Sequence, residues 1–284
     1  MTETTSETAS AGVDDGAADK DAAAPPVLYE VDDGVALITL NRPERLNAWN
    51  AALGTAYHDF LDRAEADPAV RVIVVTGAGR GWCAGADMDL LQGLGGSISG
   101  ERSGEPDLRD TRRHLEIKKP IIAAINGACA GLGFVYAISA DIRFAAAGAK
   151  FTTAFSHRGL IAEYGSSWYL PKLVGQSVAL DLLMSGRVFL AEEAKELGVV
   201  NRVIEPDQLL PETMAYAKQM AASAAPMSMA IMKDQVYRHR EMSVDDAVAE
   251  SIELMNASLR RPDFKEGVAS YLEKRSPQFD PYTG

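Results

Sequence analysis

Residues 121–140 run for twenty positions without a charged side chain. That is the length a membrane-spanning helix needs. It also suffices for a strand, a turn and a short helix buried on all sides. The residues inside the run favour the second form. β-Branched side chains cluster at its start (Ile121, Ile122, Ile125), and three glycines, in Asn126-Gly127 and Gly131-Leu132-Gly133, interrupt it. A spanning helix tolerates a glycine pair, and Lys118-Lys119-Pro120 and Asp141-Ile142-Arg143 would flank a span. No second run of this kind accompanies it. Residues 121–125 therefore read as a strand, 126–133 as a glycine-rich turn and 134–140 as a short buried helix.

The surrounding pattern alternates strand and helix, which predicts an α/β core. Residues 35–40 (VALITL) form a β-rich run ended by Asn41-Arg42-Pro43; 50–66 read as a helix, and 70–76 as a buried strand entering Gly77. Strand signals vanish after Val203-Ile204. Helices are predicted at about 207–223, 227–238, 244–260 and 263–273. Ser243-Val244-Asp245-Asp246 resembles a capping box, and Val248, Ile252, Met255 and Leu259 then recur on one face. That stripe must cover the chain's own core or a neighbouring subunit.

Residues 1–26 hold almost no large apolar side chain and six acids against Lys20, so five of the twelve net negative charges lie there. Such a segment is expected to be a disordered acidic tail, and it lacks the marks of a signal or transit peptide. The boundaries that follow are 1–26, a core at 27–205 and a helical region at 206–284. An acidic balance of 40 to 28 argues against a general nucleic-acid or anionic-membrane binder. Two cysteines in 284 residues give no disulfide framework, so a reducing, cytoplasmic setting is expected.

Two loops bear on chemistry. Residues 72–81 form a strand running into Gly77-Ala78-Gly79-Arg80-Gly81. This suggests a dinucleotide-binding turn, but the third glycine comes one residue early and no helix opens directly. The second loop, Ala84-Gly85-Ala86-Asp87, leads into Met88 and an expected helix start, where free amides bind anions or developing oxyanions. From spacing alone, the plainer role of Asp87 is to cap that helix. The five glycines and three serines of residues 92–108 read as a surface loop or a lid. The four histidines (His58, His114, His157, His239) lack metal-ligand spacing, so no metal site is expected and each reads as structural or surface. Ser166-Ser167 lacks the glycine frame of a nucleophile elbow.

Taken together, residues 35–279 resemble the enoyl-CoA hydratase/isomerase (crotonase) family. The resemblance rests on five phrases in the family's order: TLNRPERLNA at 39–48, CAGAD at 83–87, NG at 126–127 with GLG at 131–133, SGR at 185–187 with its sequel to Asn201, and EKRSPQF at 273–279. It implies a spiral of ββα units with a C-terminal helical oligomerisation region, assembled as a homotrimer or hexamer. It implies an acyl-CoA thioester as substrate, with coenzyme A part of that substrate and no separate cofactor. By position, the thioester oxygen would lie between the N–H groups of Ala86 and Leu132. Arg45, Leu46, Ala48, Ala84, Asp87 and Met88 would line the coenzyme A groove.

The departures narrow the chemistry. Where two-carboxylate hydratases of the family place their glutamates, this chain has Val135 and Phe155. One acid survives: Glu163 stands where dienoyl-CoA isomerases, a ring-opening isomerase of phenylacetate breakdown and an aromatic dehalogenase carry a working aspartate. Among Phe155, Ile161, Tyr164 and Trp168, its carboxyl would be partly desolvated, which suits proton transfer. Double-bond isomerisation with Glu163 as single acid/base is expected. Hydration by Glu163 alone and a catalytically silent coenzyme A-binding protein are the alternatives.

Overall fold

The computed structural model describes residues 24–87 and 110–282. The tail to residue 23, Met88 with the helix expected to start there, and the stretch 92–108 lie outside the described residues. Among the described residues, ten strands form two sheets. The larger contains β1 (Val27–Asp32), β2 (Val35–Leu40), β3 (Val72–Gly77), β5 (Ile121–Ile125), β7 (Ile142–Ala146) and β10 (Arg202–Ile204), in the order β1-β2-β3-β5-β7-β10. The smaller has the order β4 (Gly81–Cys83), β6 (Ala128–Ala130), β8 (Lys150–Thr152), β9 (Phe189–Leu190).

Strands β3, β5 and β7 each end in a tight turn that sends the next strand into the smaller sheet. Within each sheet, neighbours from successive repeats pair parallel, as β3 with β5 and β4 with β6. Parallel pairing requires a crossover. Helix α1 (Ala51–Ala66) supplies it between β2 and β3, and the buried helix α3 (Leu132–Ser139), which follows β6, between β5 and β7. The short α2 (Arg113–Glu116) precedes β5. After β8 come α4 (Ser166–Val174), α5 (Gln176–Ser185) and, beyond β9, α6 (Ala191–Glu196).

The uncharged run is thus β5, a turn with β6, and α3. No helix among the described residues is long and apolar enough to cross a membrane. The run lacks charge because β5 and α3 are buried along their whole length. The dinucleotide-binding reading of residues 72–81 fails on topology. After Gly81 the chain continues as β4 in the second sheet, so no helix N-terminus opens at those glycines.

Two asparagines hold the β3–β4 turn. The Asn47 side chain, fully buried, accepts from Arg42 N at 2.8 Å and donates to Ala78 O at 3.0 Å and Gly81 O at 2.7 Å. Asn126 accepts from Gly77 N and donates to Gly79 O at 2.8 Å. One turn of the first strand pair is thereby fixed to the preceding loop and to the next strand pair.

The C-terminal region comprises α7 (Leu209–Ser223), α8 (Pro226–Arg238), α9 (Val244–Ser258) and α10 (Pro262–Glu273). Each begins within two residues of its predicted start. Ser243 caps α9 as expected, its hydroxyl accepting from Asp246 N. Helix α7 packs on β2, β3, β5 and β7. The apolar stripe of α9 does not turn inward: Val248, Ile252, Met255 and Leu259 are all about half exposed, as are Phe264 and Val268 on α10.

Replacing Asn47 removes three hydrogen bonds: the part-buried Arg42 amide and Ala78 carbonyl lose this partner, and the Gly81 carbonyl keeps Asn126 Nδ2 at 3.3 Å. Asn47→Ala is expected to lower the unfolding free energy by about 2–4 kcal/mol, measured by urea denaturation. A change below about 0.5 kcal/mol, the scale of an ordinary surface substitution, would refute the clamp.

Candidate active site

Residues 84–87 lie alongside residues 46–49. Ala84 N donates to Leu46 O at 3.0 Å, Trp49 N to Gly85 O at 2.7 Å and Asp87 N to Trp49 O at 2.9 Å. Ala86 is therefore the parallel bridge partner of Trp49. In that pattern the flanking residues carry the hydrogen bonds, and the N–H of Ala86 is turned away from residue 49.

On another side of the same loop lies the start of α3. A Cβ added to Gly85, whose φ is +102°, would stand 3.0 Å from Ala130 O and 3.8 Å from Gly131 Cα. Two residues on, a Cβ on Gly133 would come within 2.3 Å of Cys83 O. Glycine is required at both, because backbone meets backbone there. The residues immediately before Ala86 and Leu132 thus touch. Leu132 is the first residue of α3; no side chain caps it, and the first intrahelical bond runs from Val135 N to Gly131 O. The Leu132 amide is one of the donors that a helix N-terminus leaves without an internal acceptor.

Aromatic stacking locks this arrangement from below. The Trp49 indole lies 4.0 Å from the Tyr136 ring of α3, nearly parallel. Around them Tyr57 OH meets His114 Nε2 at 2.7 Å, His114 Nδ1 meets Ser139 Oγ at 2.8 Å, and Ser139 Oγ donates to Tyr136 O. With the serine proton directed to a carbonyl, its oxygen accepts from His114 Nδ1–H, and Tyr57 donates to Nε2. A neutral histidine fits this chain, and burial pushes its pKa down to about 3, with Lys233 and His58 adding to the effect. Sequence gave no signal for the network. It joins α1, α2 and α3 across 57 positions from Tyr57 to His114 and 25 from His114 to Ser139, and His114 is structural.

The substrate-lining residues expected from sequence divide. Leu46, Ala48 and Ala84 are half-buried beside the loop, and Arg45 is exposed on the 3-10 turn before it. The Asp87 carboxylate is buried against Arg42, at 2.8 Å. Its side chain braces the loop, and its amide is taken up by Trp49 O. Val135 and Phe155 are buried apolar residues.

Glu163 sits in the connection from β8 to α4. Thr152 O, at the end of β8, accepts the Gly131 amide, so this connection leaves from beside the start of α3. Half-burial raises the Glu163 pKa above that of an ordinary carboxyl group. Among the described residues, no donor or cation contacts its carboxylate. Cys83 and Cys129 are free, buried partners on β4 and β6. No cluster of three metal-binding side chains occurs among the described residues.

The sequence model of the enoyl-CoA hydratase/isomerase family matches residues 30–281. The chain belongs to that family. It is similar to the 1,2-epoxyphenylacetyl-CoA isomerase of Escherichia coli, 35% identical over 261 residues, covering 89% of this chain and 97% of that protein. It is similar also to the (E)-benzylidenesuccinyl-CoA hydratase of Thauera aromatica, at 34% identity with 89% and 98% covered. Among solved structures it resembles a probable enoyl-CoA hydratase/isomerase from Mycobacterium abscessus (TM-score 0.81, 29% identity, 90% of this chain and 99% of that one). It also resembles an enoyl-CoA hydratase from Mycobacterium marinum (TM-score 0.65, 50% identity, 75% and 98%). The two-sheet spiral with its C-terminal helices is thus the crotonase fold of this hydratase/isomerase family.

Because the unfolded chain binds a proton at His114 from about pH 6.5 downward and the folded chain only near pH 3, stability falls as pH drops through that window. This group is expected to contribute a slope of up to about 1.4 kcal/mol per pH unit. Urea denaturation across the window should show a slope shallower by about one proton in His114→Gln than in wild type. Equal slopes would contradict the buried neutral imidazole.

Proposed function

We propose that this protein is an acyl-CoA isomerase that moves a double bond through a thioester enolate, with Glu163 as its single acid/base. The observation that carries the reading is the half-buried carboxylate of Glu163, which no donor or cation contacts among the described residues, combined with apolar Val135 and Phe155 at the two positions where hydratases of the family orient water. With no second carboxylate there, addition of water lacks its usual activation. A proton shuttle needs only one group.

In this reading the thioester oxygen accepts from the N–H groups of Ala86 and Leu132. Glu163 removes a Cα proton from a β,γ-unsaturated acyl-CoA, and the electron pair moves onto the thioester oxygen as a dienolate. The same carboxyl group then returns the proton at Cγ, leaving the α,β-unsaturated thioester. Charge appears on the oxygen at the moment the proton leaves, so preorganised amides matter more in the transition state than in the substrate. One such donor is worth roughly 3 kcal/mol. Arg45, Leu46, Ala48, Ala84 and Met88 would line the coenzyme A groove, Asp87 contributing its backbone. The half-exposed stripes of α9 and α10 support assembly into a trimer or a pair of trimers.

The Thauera and other relatives named as hydratases keep a second reading in play: hydration by Glu163 alone. Both readings are tested together by offering the protein a β,γ-enoyl-CoA and its α,β isomer. Isomerisation is expected without net water addition; accumulation of a 3-hydroxyacyl-CoA would favour hydration instead. Glu163→Gln is expected to lower kcat by roughly 10²–10⁴-fold while KM changes little. The acid limb of kcat/KM should lie above the ordinary glutamate pKa of 4.5, because burial favours the protonated form. Unchanged turnover in Glu163→Gln would sink the assignment. Binding of acyl-CoA with no conversion of either isomer would point to the silent coenzyme A-binding protein.

A further inference from the structure

The segment around Glu163 is held in a backbone conformation that its own residues do not favour. Tyr164 has φ +50° and Gly165 has φ +81°, two successive left-handed residues immediately after the acid. A bulky residue in that region persists only where its surroundings over-determine it. The surroundings here converge on one residue, Thr111, through its hydroxyl and its carbonyl. Thr111 is buried, and its hydroxyl donates to Tyr164 O at 2.7 Å. Its own carbonyl accepts from Tyr169 OH at 3.1 Å, on the helix that Glu163 precedes. The loop is closed at its other end by Ser166 N, which donates to Glu163 O.

Thr111 is also tied to the opposite half of the site. Its carbonyl accepts from His114 N at 3.2 Å, and the His114 imidazole is bonded to Ser139 on α3. Helix α3 begins at Leu132. A continuous set of hydrogen bonds therefore runs from the backbone beside Glu163, through Thr111 and His114, to the helix that presents the Leu132 amide.

We propose that Thr111 is a positioning residue that holds the Glu163 carboxylate in register with the Leu132 amide. It touches neither substrate nor reacting atoms; it sets where the acid stands relative to the enolate oxygen. This rests on the assignment of Glu163 as the proton-transfer group. Misplacing a reacting group by an ångström slows the chemical step far more than it weakens binding. Loss of the hydroxyl should therefore appear in kcat and not in KM.

The test follows isomerisation of a six-carbon β,γ-enoyl-CoA by wild type, Thr111→Val, Thr111→Ser, Tyr169→Phe and Glu163→Gln. Thr111→Val is expected to lose about 10–100-fold in kcat with KM changed less than about threefold. Thr111→Ser, which keeps the donor, should restore at least half of the wild-type kcat. Tyr169→Phe, which loosens the same clasp from the helix side, should show a smaller fall confined to kcat. Wild-type kcat in Thr111→Val overturns the proposal, and so does a loss that serine fails to rescue. If Thr111→Val does not fold, Tyr169→Phe decides, and an unchanged kcat there overturns it. Unchanged turnover in Glu163→Gln would instead defeat the acid assignment itself, a separate result read from a separate variant.

Discussion

The approach of two backbones at Gly85 and Gly131 governs the rest of the site. Residues 84–87 belong to the connection after β4, and Gly131 opens the helix after β6, so the contact joins two successive repeats of the spiral. A side chain at Gly85 would press on Ala130 O, and one at Gly133 would drive α3 off Cys83. Everything nearby serves to hold that approach. Asn47 and Asn126 fix the turn before β4, Arg42 pairs with the buried Asp87, and the Trp49–Tyr136 stack ties the segment beside residue 86 to the body of α3.

The absence of charge over residues 121–140 belongs to the same account. Amides that meet a developing negative charge act more strongly where the medium is less polar. Helix α3 is wholly buried, with Phe134 packed against Phe151 and Phe189 of the smaller sheet. The run that resembles a membrane span by length is dry because it lies in the middle of the protein.

Much of this was legible in the sequence because it is local. The β-rich and β-branched runs marked β2, β3 and β5; helical patterns marked α7 to α10; and Ser243 announced the start of α9. What could not be read depends on contacts between distant positions. Asn47 belongs to a recognisable phrase, yet its role in clamping Ala78 and Gly81 exists only once the repeats are stacked. His114 carries no pattern at all, because its partners Tyr57 and Ser139 are 57 and 25 positions away. The side of α9 that bears Val248 and Ile252 was plain from spacing, while its half-exposure among the described residues was not.

The central claim is that the two amides and the single carboxylate form one reaction centre around a thioester. A crystal structure with a saturated acyl-CoA bound, which cannot isomerise, tests it most directly. The account predicts the thioester oxygen within about 3 Å of both Ala86 N and Leu132 N, with the acyl Cα facing the Glu163 carboxylate. A thioester oxygen bound away from both amides, or a Cα facing a different acid, would contradict it.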